Sequence, residues 1–389
     1  MMSVWSEKLM LSSAYLDKTL LFSTISLICI GFLMMSSASL HLGLARMDSI
    51  FYYPTRQLIH IAIGLVAAIA IYSVPMSFWE TYGTQLFFVG IGLLVLVLVP
   101  GLGVKVNGST RWLALPGFRF QVSEAIKLSV VIYMAGFITR HSELVTDTAY
   151  GLIRPVVLLS TACALLLIEP DMGSAVVIMV IAMGMMFLGG ARLKQFAVLI
   201  GLVSVVATLA IVLSEYRQKR MNSFLNPWED PLGDSFQLVQ ALISFGRGEW
   251  LGVGLGAGVQ KLFYLPEAHT DFLFSVLGEE LGFIGVLSVI LLFTAIVWRA
   301  FVIGVMAEEL GQRFSAFIAY GLGVWFAFQS FVNIGVNMGV LPTKGLTLPF
   351  MSYGGGSMIV MCCAIALLYR VNREVQQIKQ GKDREVHYG

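Results

Sequence analysis

The sequence predicts an all-α, polytopic membrane protein of about ten transmembrane helices, with a large extracytoplasmic loop between helices 7 and 8. Three observations carry this. Hydrophobic residues make up 57% of the chain and charged residues only 12%, where a soluble domain has roughly 25% charged residues. The mean hydropathy is +0.82. Apolar runs of membrane-crossing length recur along most of the chain, and a bilayer is the solvent that accommodates so much outward-facing apolar surface.

A spanning helix needs about 20 apolar residues. Runs near that length lie at 19–41, 57–75, 83–100, 122–139, 153–168, 172–190, 193–213, 271–298, 314–336 and 350–370. The fourth and fifth are short and carry polar residues, and only Glu169, Pro170 and Asp171 separate the fifth from the sixth. The first run is nearly a full span, so it reads as a retained helix despite the cleavage-like Ser37–Ala38–Ser39. The expected organisation is a cytoplasmic segment at 1–18, a transmembrane domain at 19–372 with its outer loop at 214–270, and a basic cytoplasmic tail at 373–389.

An even number of spans puts both termini on one side. That side collects most Lys and Arg, among them Lys18, Arg140, Arg154, Arg192, Arg299, Arg313 and Arg370. The other side's short loops hold Arg46, Arg56, Lys105, Arg111, Arg119 and Lys344. The bias places the termini in the cytoplasm. The outer face then has the loops at 214–270, 101–121 and 337–349, where Gly, Pro and charge gather. Function is expected there.

The long loop has internal pattern. Leu238, Val239, Leu242, Ile243 and Phe245 recur at helical spacing, predicting a short helix over 236–245 lying in the membrane interface. Gly252, Gly254, Gly256 and Gly258 lack the strand and helix that frame a nucleotide-binding turn, and read as close packing or sharp bends.

Several function classes are excluded. The net charge of +2, without a basic patch interleaved with aromatics, points away from nucleic acid. Cys29, Cys163, Cys362 and Cys363 sit in apolar runs with no CxxC pair, and the histidines show no HExxH spacing, so a zinc enzyme is not expected.

Chemistry is sought where ionisable residues meet span ends. Asp271 opens the eighth span after Pro266, Glu267, His269 and Thr270. A carboxylate there costs on the order of 2–3 kcal/mol if it faces lipid, so a partner or wet cavity is expected. Burial would raise its pKa towards that of a general base; a helix cap is the competing reading. Glu124 and Lys127 share a helix face at i, i+3 and suit either a structural ion pair or substrate contact. Arg111 has the fork that grips phosphate, and Trp112 suits the interface. Lys344 could neutralise an anionic head group, and Ser352 begins a Ser–Tyr–Gly-rich start to the last span.

Taken together, these segments resemble the SEDS family of bacterial membrane glycosyltransferases, most closely its cell-division branch. The resemblance runs from about residue 15 to 372 and rests on five segments in order. They are Gly108–Ser109–Thr110–Arg111–Trp112; Ser123–Glu124 with Lys127; Glu169 through Ser174; Leu265 through Asp271 with Glu279–Glu280–Leu281–Gly282; and Pro342 through Gly355. Val122 departs from a frequent Pro, and Gly356 from a usual Ser.

The resemblance implies polymerisation of lipid II into β-1,4-linked glycan strands at the outer face of the cytoplasmic membrane. It places the essential carboxylate at Asp271. By the same resemblance Glu124 orients Lys127. Arg111, Trp112, Glu124, Lys127, His269, Lys344 and Ser352 are the expected substrate-binding residues. A pyrophosphate leaving group calls for cations, with Mg²⁺ or Mn²⁺ as the expected cofactor. The implied partners are a class B penicillin-binding protein, a transpeptidase that cross-links the strands, and other divisome proteins, in membrane lipid at the septum. The alternative function is a lipid-linked precursor flippase, which would need polar access from both membrane faces. A pure scaffold leaves Asp271 without a reason.

Overall fold

The computed structural model describes residues 16–106, 109–115, 118–147, 149–233, 235–342 and 345–388. The chain begins with α1 (Lys18–Met47), α2 (Tyr52–Ser73) and α3 (Met76–Leu98). Strands β1 (Gly103–Val106), β2 (Ser109–Leu115) and β3 (Phe118–Gln121) follow. Then come α4 (Val122–Arg140), α5 (Ser142–Asp147), α6 (Ala149–Ile168), α7 (Met172–Leu188) and α8 (Leu193–Val212). The long loop contains α9 (Glu215–Leu225) and α10 (Phe236–Gly248). The chain closes with α11 (Leu273–Glu309), α12 (Arg313–Asn337) and α13 (Gly355–Tyr388).

The protein is a multi-pass membrane protein. Among the described residues seven helices are long and apolar enough to cross a bilayer: α1, α2, α3, α4, α11, α12 and α13. Ile153–Ile168 and Met172–Leu188 are shorter apolar helices, and α8 is a 20-residue, mostly apolar helix that carries Lys194 and Gln195 in its first turn. Burial separates core from periphery. In α4, α12 and α13 between 72% and 78% of the apolar window is buried, against 17% to 39% in α1, α2, α3 and α11. The central helices are also those carrying Glu124, Lys127, Gln329, Asn333 and Asn337, because a polar side chain facing lipid would go unpaired.

Ion pairs and hydrogen bonds tie the helix ends opposite Asp271. Asp17 caps α1 by accepting from the Leu20 N–H at 3.0 Å and pairs with Arg299 in the last third of α11. Arg370 donates to the Tyr72 carbonyl at 3.2 Å, and Glu374 accepts from the Met76 N–H at 3.1 Å. Asp17, Arg299, Asn372 and Gln376 line one small space, so the start of α1 and the later part of α13 lie close together.

The outer loops are folded. The 101–121 segment, expected as loop, forms an antiparallel sheet in the order β1-β2-β3, with Trp112 opposite Val104 and Gln121. The outer strands β1 (Gly-Val-Lys-Val) and β3 (Phe-Arg-Phe-Gln) alternate with the period of a strand, whereas β2 does not. The two departures from the family pattern meet beside it: a Cβ on Gly356 would lie 2.6 Å from the Gln121 N, immediately before Val122. The predicted helix at 236–245 is α10, three residues longer; it buries Leu238, Val239 and Ala241 and packs on α11.

Gly252, Gly254 and Gly256 all have positive φ, and a Cβ on Gly252 would come within 2.2 Å of the Glu280 carbonyl oxygen. The bend and close-packing reading thus describes this loop. Glu279 and Glu280 hold it down: Glu280 pairs with Lys261 at 2.5 Å and accepts from the Gly256 N–H at 2.9 Å, while Glu279 accepts from Val259 N–H at 2.9 Å. Gly282, with φ 63°, kinks α11, so its first turns form a short separate helix ahead of the long span.

Candidate functional site

Two aspartates precede helices and do different work. Asp171 is the N-cap of α7: its carboxylate accepts from the Ser174 N–H at 3.1 Å and from the Ser174 hydroxyl at 2.9 Å. Asp271 caps nothing. The start of α11 is capped from another helix, where Asn337 Oδ1 accepts from the Ser275 N–H at 3.0 Å and its hydroxyl at 2.7 Å. Asn337 Nδ2 donates to the Asp271 carbonyl at 2.9 Å, and Asn333 Nδ2 donates to the same oxygen at 3.0 Å. The backbone of Asp271 is clamped and its carboxylate is left for another purpose.

Protein crowds that carboxylate, and the residue keeps a partial opening to solvent. Burial, followed by the charge of Glu267, pushes its pKa up to about 7; Arg111 and Arg220 pull the other way, and Asp171 adds to the rise. A carboxyl group of this kind exchanges a proton near neutrality.

The loop before α13 reaches the same point. A Cβ on Gly345 would stand 2.8 Å from Asp271 Oδ2, so a side chain there would push the carboxylate aside. The next residue, Leu346, offers its carbonyl to Asn333 at 2.6 Å. One residue on, the Thr347 carbonyl accepts from Gln329 Nε2 at 3.0 Å. Gln329 Oε1 in turn accepts from Lys127 Nζ at 2.9 Å and from Trp325 Nε1 at 2.8 Å. Lys127 completes the chain with Glu124 at 2.7 Å. Lys127 is fully buried and Glu124 nearly so. Among the described residues the pair is enclosed beneath the loop that faces Asp271.

Arg111 lies on β2 with its guanidinium against the turn before α7. It donates to the Glu169 carbonyl at 3.5 Å and the Pro170 carbonyl at 2.5 Å, and lies 3.8 Å from Asp171. Its side chain is 20% exposed, so part of the fork remains available. Trp112, the next strand residue, projects from the opposite face of the sheet. Glu169 is buried, its two carboxylate oxygens find no hydrogen-bond partner, and burial with the nearby Asp171 raises its pKa to about 8 despite Arg111.

The His269 ring packs against Tyr53 and Tyr353, with centroids 5.1 and 5.6 Å away. Burial lowers its pKa, with Glu267 opposing and Arg46 assisting, so the ring is neutral near pH 7. Ser352 is buried; its hydroxyl accepts from the Leu348 N–H at 2.9 Å and shapes the turn before α13. Lys344 lies outside the described residues, directly before Gly345.

The structure therefore brings Asp271, His269, Arg111 and the 345–347 loop to one region and holds Glu124, Lys127 and Ser352 behind it. Sequence reading missed Gln329, Asn333 and Asn337. Their signal was present: three amides at i, i+4 and i+8 on one face of an otherwise apolar helix.

Among the described residues no three His, Cys, Asp or Glu side chains converge to hold a metal ion. Asp171 is occupied as a cap and the exposed Glu267 accepts from the Thr270 hydroxyl at 2.9 Å, which leaves the Asp271 carboxylate free of such bonds among the described residues. This donor set fits an ion shared between one carboxylate and substrate phosphate oxygens, the usual Mg²⁺ arrangement, and not a cage built by protein alone.

The model of the FtsW/RodA/SpoVE family, described as cell cycle proteins, matches residues 18–377. A probable peptidoglycan glycosyltransferase FtsW from Methylomonas methanica is 61% identical over 364 residues, covering 94% of each chain. One from Methylococcus capsulatus is 57% identical over 360 residues, covering 92% of this chain and 90% of that protein. Among solved structures, a chain of a peptidoglycan synthase complex superposes with a TM-score of 0.75 at 27% identity, covering 93% of this chain and 98% of that one. The rod shape determining protein RodA of Thermus thermophilus gives a TM-score of 0.68 at 25% identity, covering 92% and 97%. With a family match over nearly its whole length and relatives well above half identical, this chain belongs to the FtsW/RodA/SpoVE family of cell cycle proteins.

Proposed function

We propose that this protein is the peptidoglycan glycosyltransferase of cell division, polymerising lipid II into β-1,4-linked strands at the outer face of the bacterial cytoplasmic membrane. The observation that carries the reading is an aspartate relieved of capping by Asn337, with a carboxyl group poised near pH 7 at a partial opening. Asp271 takes the proton from the acceptor sugar hydroxyl. The oxygen so activated bonds to the donor sugar carbon, the bond from that carbon to the pyrophosphate breaks with inversion, and the lipid pyrophosphate leaves.

Arg111 is placed to meet phosphate with the exposed part of its fork, and Lys344 is the second cation proposed to bind it. A bound Mg²⁺ or Mn²⁺ would supply further positive charge to the leaving group, held by Asp271 and the substrate. Glu124 and Lys127 act as positioning residues, supporting the 345–347 loop through Gln329.

Both termini face the cytoplasm in this reading. A class B penicillin-binding protein is the partner, together with other divisome proteins at the septum. Membership of a family with a chain solved in a peptidoglycan synthase complex supports such a partner. Flipping would need a polar path through the bundle. Beneath the site Lys127, Trp325 and Gln329 are fully buried, which favours polymerisation.

The test is strand formation from purified lipid II by the protein with its cognate transpeptidase. Asp271→Asn should abolish it while expression and partner binding persist. Full activity in that variant would remove Asp271 from the base role.

A further inference from the structure

A largely apolar cavity edged by cations lies towards the far end of α4, where the proposed reaction makes no use of it. It measures about 500 Å³ and lies between α3, α4 and α6. Glu124 lies in the first turn of α4 and Arg140 at its end, so the cavity, lined by Tyr133, Phe137 and Arg140, spans about 13–24 Å below the Glu124 level, towards the opposite membrane face.

Its lining combines cations with lipid-facing apolar surface. Arg140, Arg154, His141 and Thr84 line it together with Phe88 and Val157. Arg140 makes only long bonds, 3.4 Å to the Glu80 carbonyl and 3.2 Å to the Thr84 hydroxyl. Arg154 is exposed, and among the described residues neither arginine has a carboxylate partner. Both charges act on the Tyr133 hydroxyl that also lines the cavity, which places them around one space. His141 stacks on Phe137 at 4.8 Å with Nδ1 near the Phe137 carbonyl, leaving Nε2 unused. Phe88 and Val157 are 53% and 60% exposed on the outer surface of the bundle.

Two unpaired guanidinium groups beside exposed apolar side chains, at the membrane boundary, need an anion that arrives with hydrocarbon attached. A soluble anion would leave Phe88 and Val157 bare, and a zwitterionic lipid would bring its own cation to the two arginines. We propose that this cavity binds the phosphate of an anionic phospholipid, with Arg140 and Arg154 on the phosphate and the acyl chains along Phe88 and Val157. The site is independent of the polymerase reading and would tie the bundle to an anionic leaflet.

Native mass spectrometry of the full-length protein in detergent, titrated with phosphatidylglycerol, tests this. Each lost arginine should weaken binding about fivefold, so Arg154→Gln should cost about fivefold and the Arg140→Gln/Arg154→Gln pair about 25-fold. Phosphatidylcholine should bind far more weakly to the unaltered protein. Unchanged lipid II polymerisation by Arg154→Gln would show that a binding loss comes from the lost cation and not from misfolding. Equal affinity for the two phospholipids, or a double variant that binds as the unaltered protein does, would overturn the proposal. So would inorganic phosphate binding as tightly as phosphatidylglycerol, or undecaprenyl pyrophosphate binding where phosphatidylglycerol does not.

Discussion

Asn337 holds Asp271 by its main chain while capping the helix that Asp271 would otherwise cap. Its Nδ2 donates to the Asp271 carbonyl at 2.9 Å and its Oδ1 accepts from Ser275 N–H at 3.0 Å. One side chain thereby positions the carboxylate and frees it. Asn337→Leu should remove both functions, destabilising the protein by about 1–3 kcal/mol through the unpaired buried groups. Polymerisation should fall further than the folded fraction does, as measured by thermal unfolding alongside lipid II turnover.

The base must be ionised to accept a proton. With its pKa raised to about 7, Asp271 should give kcat/KM an acidic limb that rises through pH 7 and levels off above it. The stability effect has the opposite sign. Burial penalises the charged form, so folding is favoured while the carboxyl is protonated and that contribution fades as pH rises through about 7. Asp271→Asn should therefore melt higher than the unaltered protein at pH 8, and the gap should narrow at pH 5. A profile flat from pH 5 to 8 would count against a base of this kind.

Gly345 stands directly against the Asp271 carboxylate. Gly345→Ala would put a methyl group 2.8 Å from Asp271 Oδ2, and a displacement of about 1 Å can cost roughly 100-fold in rate. The variant should retain its fold, checked by its melting temperature, and lose most of its kcat.

Glu124 and Lys127 form a fully enclosed ion pair at 2.7 Å. Removing one partner strands a buried charge, so Lys127→Met should destabilise by about 3–5 kcal/mol. Combining it with Glu124→Leu should recover much of that loss. If the pair serves only stability, the double variant will also recover activity. If it positions the 345–347 loop through Gln329, kcat will stay low in a well-folded protein.

Several of these relationships were legible before any coordinates. Hydropathy alone marked α1, α2 and α3 because lipid-facing helices must be apolar all round. The helical spacing of apolar residues at 236–245 exposed α10. Asp271 stood out because a carboxylate at a span boundary is costly unless it is used. The sheet at 103–121 was harder to see, since its short strands are broken by Gly and Pro and read locally as loop. Gln329, Asn333 and Asn337 went unnoticed because amides in an apolar helix carry no charge to draw attention, although their i, i+4, i+8 spacing is regular.

The sequence by itself determined that this chain lives in a membrane, where its helices run, and which ionisable residues stand at their ends, because those properties depend on local composition and period. Only the tertiary structure decided which aspartate caps and which is free, and which cations are enclosed. Those outcomes depend on side chains far apart in the chain, Asn337 against Ser275 and Lys127 against Gln329, meeting at hydrogen-bond distance. No pattern within one segment encodes such a meeting.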